Sequence, residues 1–600
     1  MDQKQLIIAA LLSLLVLLGW SLLFPAPDPV RAPSVPVASE PAPGSPAAAA
    51  ADGDSSGPAA AEAPGVPSDT RREPIAAAAE QRVEVSTDIV HTVFSNRGAQ
   101  LLSYRIRDVK GRDGEPLEMV RQRAEGPYPF ALTDAAGAPV ALNDALFVVE
   151  GPESGGATGS RVVRFRHSGE AGTATKEFRF LRNGMLEVSI EVADQDGWGV
   201  MIGPGLRNPT AKELQSRNVL FRAASYLIGD SLEEHPAPKL REEIRVPGTG
   251  LRWAALEDTY FLSMLAPKTP VAGQILQPFL IVPGVDGAHP TFVPRPPPDQ
   301  MTGALEDLPQ EIRLVTTVNG ARLDADAYWG AKRHRTLSEL PGRYELSRTI
   351  RWGTFGILAK PMLLLLLWIH DHLVANFGWA IVLLTVLVKV VLMPLTHKSY
   401  VSMQKMSKLQ PKIEAIKQKY RGKQRDKQGR PNLESQRKMN EEMQELFKTE
   451  GVNPAGGCLP LLLQMPVFFS FFSLLRNSVE LWNTPWMLWI GDLSAPDPFY
   501  VLPIVMGGAQ FLQQRMTPMT TANPAQRILL NTMPIWFTVI SFGFASGLVL
   551  YWLTNNVLTI LQQAIYQRLK KAGYLGGLDT SPPASAPAPR KERAERVKKK

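Results

Sequence analysis

The residues able to do chemistry sit where charge and polarity are expensive. Lys389 lies inside the apolar run Phe377 to Leu395, with Thr385 one turn before it and Thr396 two turns after it. Gln464 interrupts a second run. Asn531, Thr538 and Ser541 share one helical face of a third, and Tyr551, Asn555, Thr559 and Gln562 share one face of a fourth. None of these runs holds an Asp, Glu or His that could act as a general base or neutralise Lys389. The stripes therefore suit hydrogen bonding and transient attraction of anionic groups in a shared wet concavity. Two blander readings stand beside this one: interhelical hydrogen bonding for any single stripe, and a lysine that snorkels to the interface. Cys458 is the one cysteine, which excludes an internal disulfide and any Cys-pair zinc site. His370-Asp371-His372 has no further cluster to complete a metal site and reads as a polar helix end. No G-x-x-x-x-G-K-[ST] phosphate loop occurs.

The elements that must position these residues are membrane spans. Leu6 to Phe24 is uncharged and about 20 residues long, enough for a bilayer core of about 30 Å. It reads as an uncleaved anchor. Further runs follow at 377–395, 458–475 and 499–514. The run 528–567 carries no Asp, Glu, Lys or Arg; as one helix it would reach about 60 Å, so it must fold back near Gly543, Ser546 and Gly547. Six spans result. The loop after the second is dense in Lys and Arg, as is the tail ending RKERAERVKKK, whereas 478–500 holds Glu480, Asp492 and Asp497 and no basic residue. Basic loops are retained in the cytoplasm, so both termini are expected there and residues from about 25 to 355 outside. Trp482, Trp486, Trp489 and Tyr500 are expected to form an outer interfacial belt.

The net charge of +8 is too small to diagnose nucleic-acid binding. Residues 41–70 are Ala, Pro, Gly or Ser at 24 of 30 positions, a tether that cannot bury a core. After it the period becomes two, as in Val83, Val85, Thr87, Ile89, His91 and Val93, or Leu186, Val188, Ile190 and Val192, which predicts an antiparallel β-sandwich. In the basic loop, Met406, Leu409, Ile413, Ile416 and Tyr420 form one heptad seam and Met439, Met443 and Leu446 another, predicting an antiparallel helical hairpin. Its seam either closes on itself or meets a hydrophobic nascent segment. Its lysines suit ribosomal RNA.

One stretch, Val452-Asn-Pro-Ala-Gly-Gly-Cys458-Leu-Pro-Leu-Leu-Leu-Gln464-Met-Pro466-Val-Phe468, resembles the YidC-type membrane protein insertases. Asp492-Leu-Ser-Ala-Pro-Asp-Pro-Phe-Tyr500 and Ser546-Gly-Leu-Val-Leu-Tyr551 extend the resemblance. It implies a polytopic α-helical membrane protein of a Gram-negative inner membrane, six spans with five forming the insertase core, and a large periplasmic antiparallel β-sandwich domain. It also implies no enzyme activity and no cofactor. The partners it implies are nascent membrane proteins, the ribosome, the Sec translocon and the lipid bilayer. Substrates would use a hydrophilic groove open to cytoplasm and lipid, whose residues here would be Thr385, Lys389, Gln464, Thr538, Ser541, Tyr551, Asn555 and Thr559. The family usually carries arginine where this chain has Lys389. That substitution keeps the charge and loses the bidentate fork.

The expected order is an anchor (1–24), a linker (25–79), the β-sandwich (80–345), an interfacial amphipathic helix (350–374), the second span (376–396), the cytoplasmic hairpin (397–455), spans three to six (457–567) and a basic tail (568–600). Rival classes are a secondary transporter, which lacks the internal repeat expected here, an assembly scaffold, and an intramembrane serine protease at Ser546, which lacks a base.

Overall fold

Between Arg82 and Ala331 apolar and polar positions alternate over short runs, and the described residues fold mainly as antiparallel strands, with a few single helical turns between them. The computed structural model describes residues 74–572 apart from 112, 156–159, 194, 196, 211–212, 214–221, 285–288, 422–431, 453–458 and 517–523. The anchor, most of the linker, most of the basic tail and the first part of the densest family motif lie outside the described residues.

One sheet has nine strands in the order β12 (Ser231–Pro236), β11 (Arg222–Ile228), β14 (Leu251–Asp258), β15 (Phe261–Pro267), β19 (Arg322–Ala331), β9 (Met185–Ala193), β8 (Gly172–Phe180), β7 (Ser160–Gly169) and β6 (Val148–Gly155). A second is built on β16 (Gly273–Val282), β18 (Gln310–Val318) and β10 (Trp198–Ile202), and a third holds β1 (Arg82–Ser86) to β4 (Pro116–Glu118). All three contribute to one apolar core, in which Phe94, Phe178, Leu256 and Leu314 are buried. Every second residue of β9 from Leu186 to Val192 points into it, as the period of two requires.

The alternation predicted from Val83 to Val93 is broken. Thr87 turns the chain, its hydroxyl oxygen accepting the N–H groups of Ile89 and Val90 at 3.3 and 3.1 Å. After this turn Val90, Thr92 and Phe94 face inward instead of Ile89, His91 and Val93. A tight turn shifts the phase by one residue, and a one-residue shift exchanges the faces.

Among the described residues seven long helices follow. Helix α1 (Gly356–His372) buries Ala359, Leu363, Leu366 and Ile369 against its neighbours. Its opposite side exposes Ile357, Leu364 and Trp368 together with Lys360, so the exposed face is mixed and largely apolar. Helix α2 (Phe377–Arg421) is one continuous element of 45 residues, about 68 Å at 1.5 Å per residue. The span and the first hairpin helix, separated at 396 by polarity, are thus a single rod. Helix α3 (Leu433–Thr449) packs back on it; Met406, Leu409, Ile413 and Val452 form a buried cluster flanked by Met443, Leu446 and Phe447. The hairpin closes on its own seam.

Helices α4 (Leu459–Asn477), α5 (Val501–Met516), α6 (Pro524–Ser541) and α7 (Ser546–Lys571) complete the bundle with a chain reversal at 542–545. Asp497 caps α5, accepting the Leu502 N–H at 2.7 Å. Among the described residues one segment, Phe377–His397, is long and apolar enough to cross a membrane by composition alone, with a mean hydropathy of 2.3. For the other helices the count of six rests on pattern and charge. Trp482 departs from the expected belt. It is only 6% exposed and belongs to the β core, while Trp489 and Tyr500 remain exposed.

Candidate functional site

The polar stripe of α2 faces the polar stripe of α7. Positions 389 and 396 lie two turns apart on α2; positions 555, 559 and 562 lie at spacings of four and three on α7. Lys389 Nζ donates to Asn555 Oδ1 at 3.2 Å and to Thr559 Oγ1 at 2.7 Å. Thr559 in turn donates to the Asn555 carbonyl at 2.7 Å. One step further along, Gln562 Nε2 donates to Thr396 Oγ1 at 3.3 Å, and the rings of His397 and Tyr566 lie 5.1 Å apart. Lys389, expected to lack an acidic partner in its own and the other spans, is held by two neutral oxygens, which orient the ammonium without cancelling its charge.

Helix α4 adds the third wall. Gln464 Nε2 donates to Tyr551 Oη at 2.9 Å, and the Tyr551 ring stacks on Phe471 with centroids 4.0 Å apart. Of the eight candidate residues, five therefore fall on one seam: Lys389, Gln464, Tyr551, Asn555 and Thr559.

The other three do not present free hydroxyls. Thr385 is 2% exposed and donates to the Ile381 carbonyl of its own helix at 2.7 Å. Thr538 donates to Pro534 at 2.8 Å, and a Cβ on Gly507 of α5 would lie 2.0 Å from its oxygen, so Thr538 is packed against α5. Ser541 donates to Thr538 at 2.8 Å. Serine and threonine routinely bond back to the preceding turn, and a stripe in sequence does not reveal this. Ser546 is equally committed, its hydroxyl donating to the Ala495 carbonyl at 2.8 Å.

Three amides escaped sequence reasoning. Gln510 on α5 and Asn556 and Gln563 on α7 are buried. Gln510 sat in a run read simply as apolar. Asn556 and Gln563 each follow a residue of the recognised stripe, and their spacing of seven was the available signal for a second polar face.

Residues 82–365 match the family described as the YidC periplasmic domain, and residues 368–572 match that described as the 60Kd inner membrane protein. The chain is similar to the membrane protein insertase YidC of Nitratidesulfovibrio vulgaris, 32% identical over 585 residues, covering 94% of this chain and 99% of that one. It is also similar to the membrane protein insertase YidC of Ralstonia nicotianae, 32% identical over 590 residues, covering 95% and 98%. A solved structure described as an active YidC insertase with the first transmembrane domain resolved aligns over 81% of this chain and 92% of that one, at 20% identity and a TM-score of 0.33.

Proposed function

The chain belongs to the YidC family of membrane protein insertases, and on that premise we propose how its own residues carry the activity. It is an inner-membrane insertase acting on nascent membrane proteins, and it is not an enzyme.

The proposed working surface is the seam of Lys389, Asn555 and Thr559, continued by Gln464 and Tyr551. The observation that carries it is the pair of hydrogen bonds from Lys389 to α7, which hold a cation in place with no carboxylate of the described residues bound to it. A substrate's polar tail must cross hydrocarbon, where each unsatisfied backbone group costs several kcal/mol. A polar seam offers exchangeable partners along part of that path, and the cation draws acidic tail residues. The apolar segment then leaves sideways into lipid, driven by about 25 cal/mol per Å² of buried apolar surface.

Around this seam the proposed topology has six spans, both termini in the cytoplasm and the β-domain, a sandwich, in the periplasm. The domain limits are those given above, with the first hairpin helix as a continuation of the second span. The hairpin's basic exterior and the tail are proposed to meet the ribosome, and the Sec translocon to be a partner for some substrates.

Photo-crosslinking from single positions to stalled nascent chains tests the seam. Probes at 464, 555 and 559 should capture the substrate and probes at 538 and 541 should not. Capture at 541 equal to that at 559 would move the working surface elsewhere.

A further inference from the structure

We infer that the loop 478–497 is a positioning strut joining the β-domain to the groove helix α7, with Trp482 as its anchor. The functional consequence rests on the groove reading above; the strut itself rests on contacts at both ends of the loop.

At one end the loop enters the β-domain. Val479 and Trp482 are part of its apolar core. The Trp482 ring lies 4.9 Å from Tyr260 and edge-on to Phe261 at 5.5 Å. The Arg207 guanidinium sits 4.9 Å over it. That guanidinium is itself fixed by Asp258 at 2.5 Å and Glu213 at 3.3 Å, all three groups being buried. Glu480 accepts the His334 N–H at 3.3 Å, and Asn483 Nδ2 donates to the Gly111 carbonyl at 2.8 Å. Trp482 therefore fills a built socket.

At the other end the loop enters the helical core through Leu481, Ile490 and Leu493. Asp492 ties the two parts together, accepting the N–H groups of Asn483 at 3.1 Å and Ser494 at 2.8 Å. The first N–H groups of a helix have no partner within it. Here the loop supplies them: Ala495 O accepts the Ser546 N–H at 2.7 Å and Leu493 O accepts the Gly547 N–H at 2.9 Å. The start of α7 is thus set by the loop. From Ser546 the helix carries Tyr551, Asn555 and Thr559 about 8, 14 and 20 Å inward at 1.5 Å per residue. Trp482 acts on the groove through the seat of α7 and touches no substrate.

The test uses the full chain in membrane vesicles, with Cys458→Ser and Ser546→Cys, labelled by a membrane-impermeant maleimide from the β-domain side. Ser546 is 1% exposed, so the parent should label slowly. Trp482→Ala should raise the rate by about tenfold or more through local opening. Trp482→Phe should stay near the parental rate, because a ring still fills the socket. Asn483→Gly keeps its left-handed φ of 51° accessible and removes only the amide; it should give a smaller acceleration, and it decides the matter if Trp482→Ala is not recovered in membranes. Parental labelling in Trp482→Ala, or in Asn483→Gly where that variant decides, overturns the inference. So does acceleration by Phe equal to that by Ala. Labelling reports the seat of α7 alone, whereas nascent-chain crosslinking reports the groove, so the two readings fail separately.

Discussion

Replacing Lys389 by methionine separates its charge from its packing. The substitution removes two charge-assisted hydrogen bonds, each worth about 1.5–3 kcal/mol. Thr559 keeps its bond to the Asn555 carbonyl, while the Asn555 side-chain oxygen is left without its donor, at a cost of about 1–3 kcal/mol. Against this, an intramembrane ammonium costs about 2.5–3.5 kcal/mol by insertion scales. The losses outweigh the gain, and Lys389→Met should lower thermal stability by up to several kcal/mol, so insertion is compared per amount of folded protein in the vesicles. Its effect on insertion is then a reading of the charge. At an effective dielectric of 20, a carboxylate about 8 Å from the ammonium is attracted by about 2 kcal/mol. Loss of that attraction slows insertion of an acidic-tailed substrate by about 10- to 30-fold. A neutral-tailed substrate depends on the seam's hydrogen bonds and should slow by less than about threefold. Lys389→Arg should stay active and Lys389→Glu should fail. The assay is insertion into vesicles of two substrates differing only in tail charge. Equal, undiminished insertion of both by the Met variant refutes the electrostatic role and leaves a lysine that merely snorkels.

Gly378 lies under Trp486, where a Cβ would sit 2.1 Å from Cδ1; Gly378→Ala should therefore destabilise the outer end of α2 by about 1–3 kcal/mol, seen as a lower melting temperature in detergent. In the β-domain, Lys176 is fully buried and donates to the carbonyls of Gly98 and Phe130 at 2.6 and 2.7 Å, and desolvation pushes its pKa down from 10.5 to about 7. Between those values the unfolded chain binds the extra proton, so this lysine's contribution to stability rises with pH from 7 to 10.5 and is least below 7. Denaturation followed by protease resistance of the β-domain should show this slope in the parent and lose it in Lys176→Met; equal slopes would place the ammonium in a solvated site.

The polar stripes were legible because a polar side chain in hydrocarbon must find a partner, and helical spacing shows which of them share a face. Their pairing was not legible. Helix rotation decides that α2 meets α7 and that Gln464 reaches Tyr551, and rotation is set by packing among residues such as Phe471, Leu548 and Leu550 that look alike in sequence. Thr385, Thr538 and Ser541 were grouped by spacing, and spacing does not reveal that each hydroxyl bonds to a carbonyl of its own helix. Trp482 was misplaced because composition cannot distinguish a tryptophan at a lipid interface from one in a protein socket. In the β-domain the period of two placed the strands, and the Thr87 turn reversed the phase of the second.

On the proposed reading the seam reaches only part of the way across the membrane. Measured along α7, its outermost polar contact is Gln464 with Tyr551, about 8 Å from the seat at Ser546. Between them Leu548, Val549 and Leu550 are buried in the helical core, and Phe471 is stacked across Tyr551. No hydrogen-bonding side chain lies between Gly547 and Tyr551. A polar tail moving along the seam therefore finds partners up to Tyr551 and none beyond it on this helix. Against a hydrocarbon core of about 30 Å, the polar contacts from Tyr551 to Gln562 span 11 residues, or about 17 Å of helix. The remaining distance is a short apolar barrier that the substrate's own apolar segment can offset as it enters lipid. In the proposed mechanism the outer residues of α7 would prevent a continuous aqueous pore, and the inner residues would lower the cost of the crossing. A substitution that extended the seam outward, such as Leu548→Asn, would lengthen the wet path at the expense of the seal, with ion leak through vesicles as the measurable result.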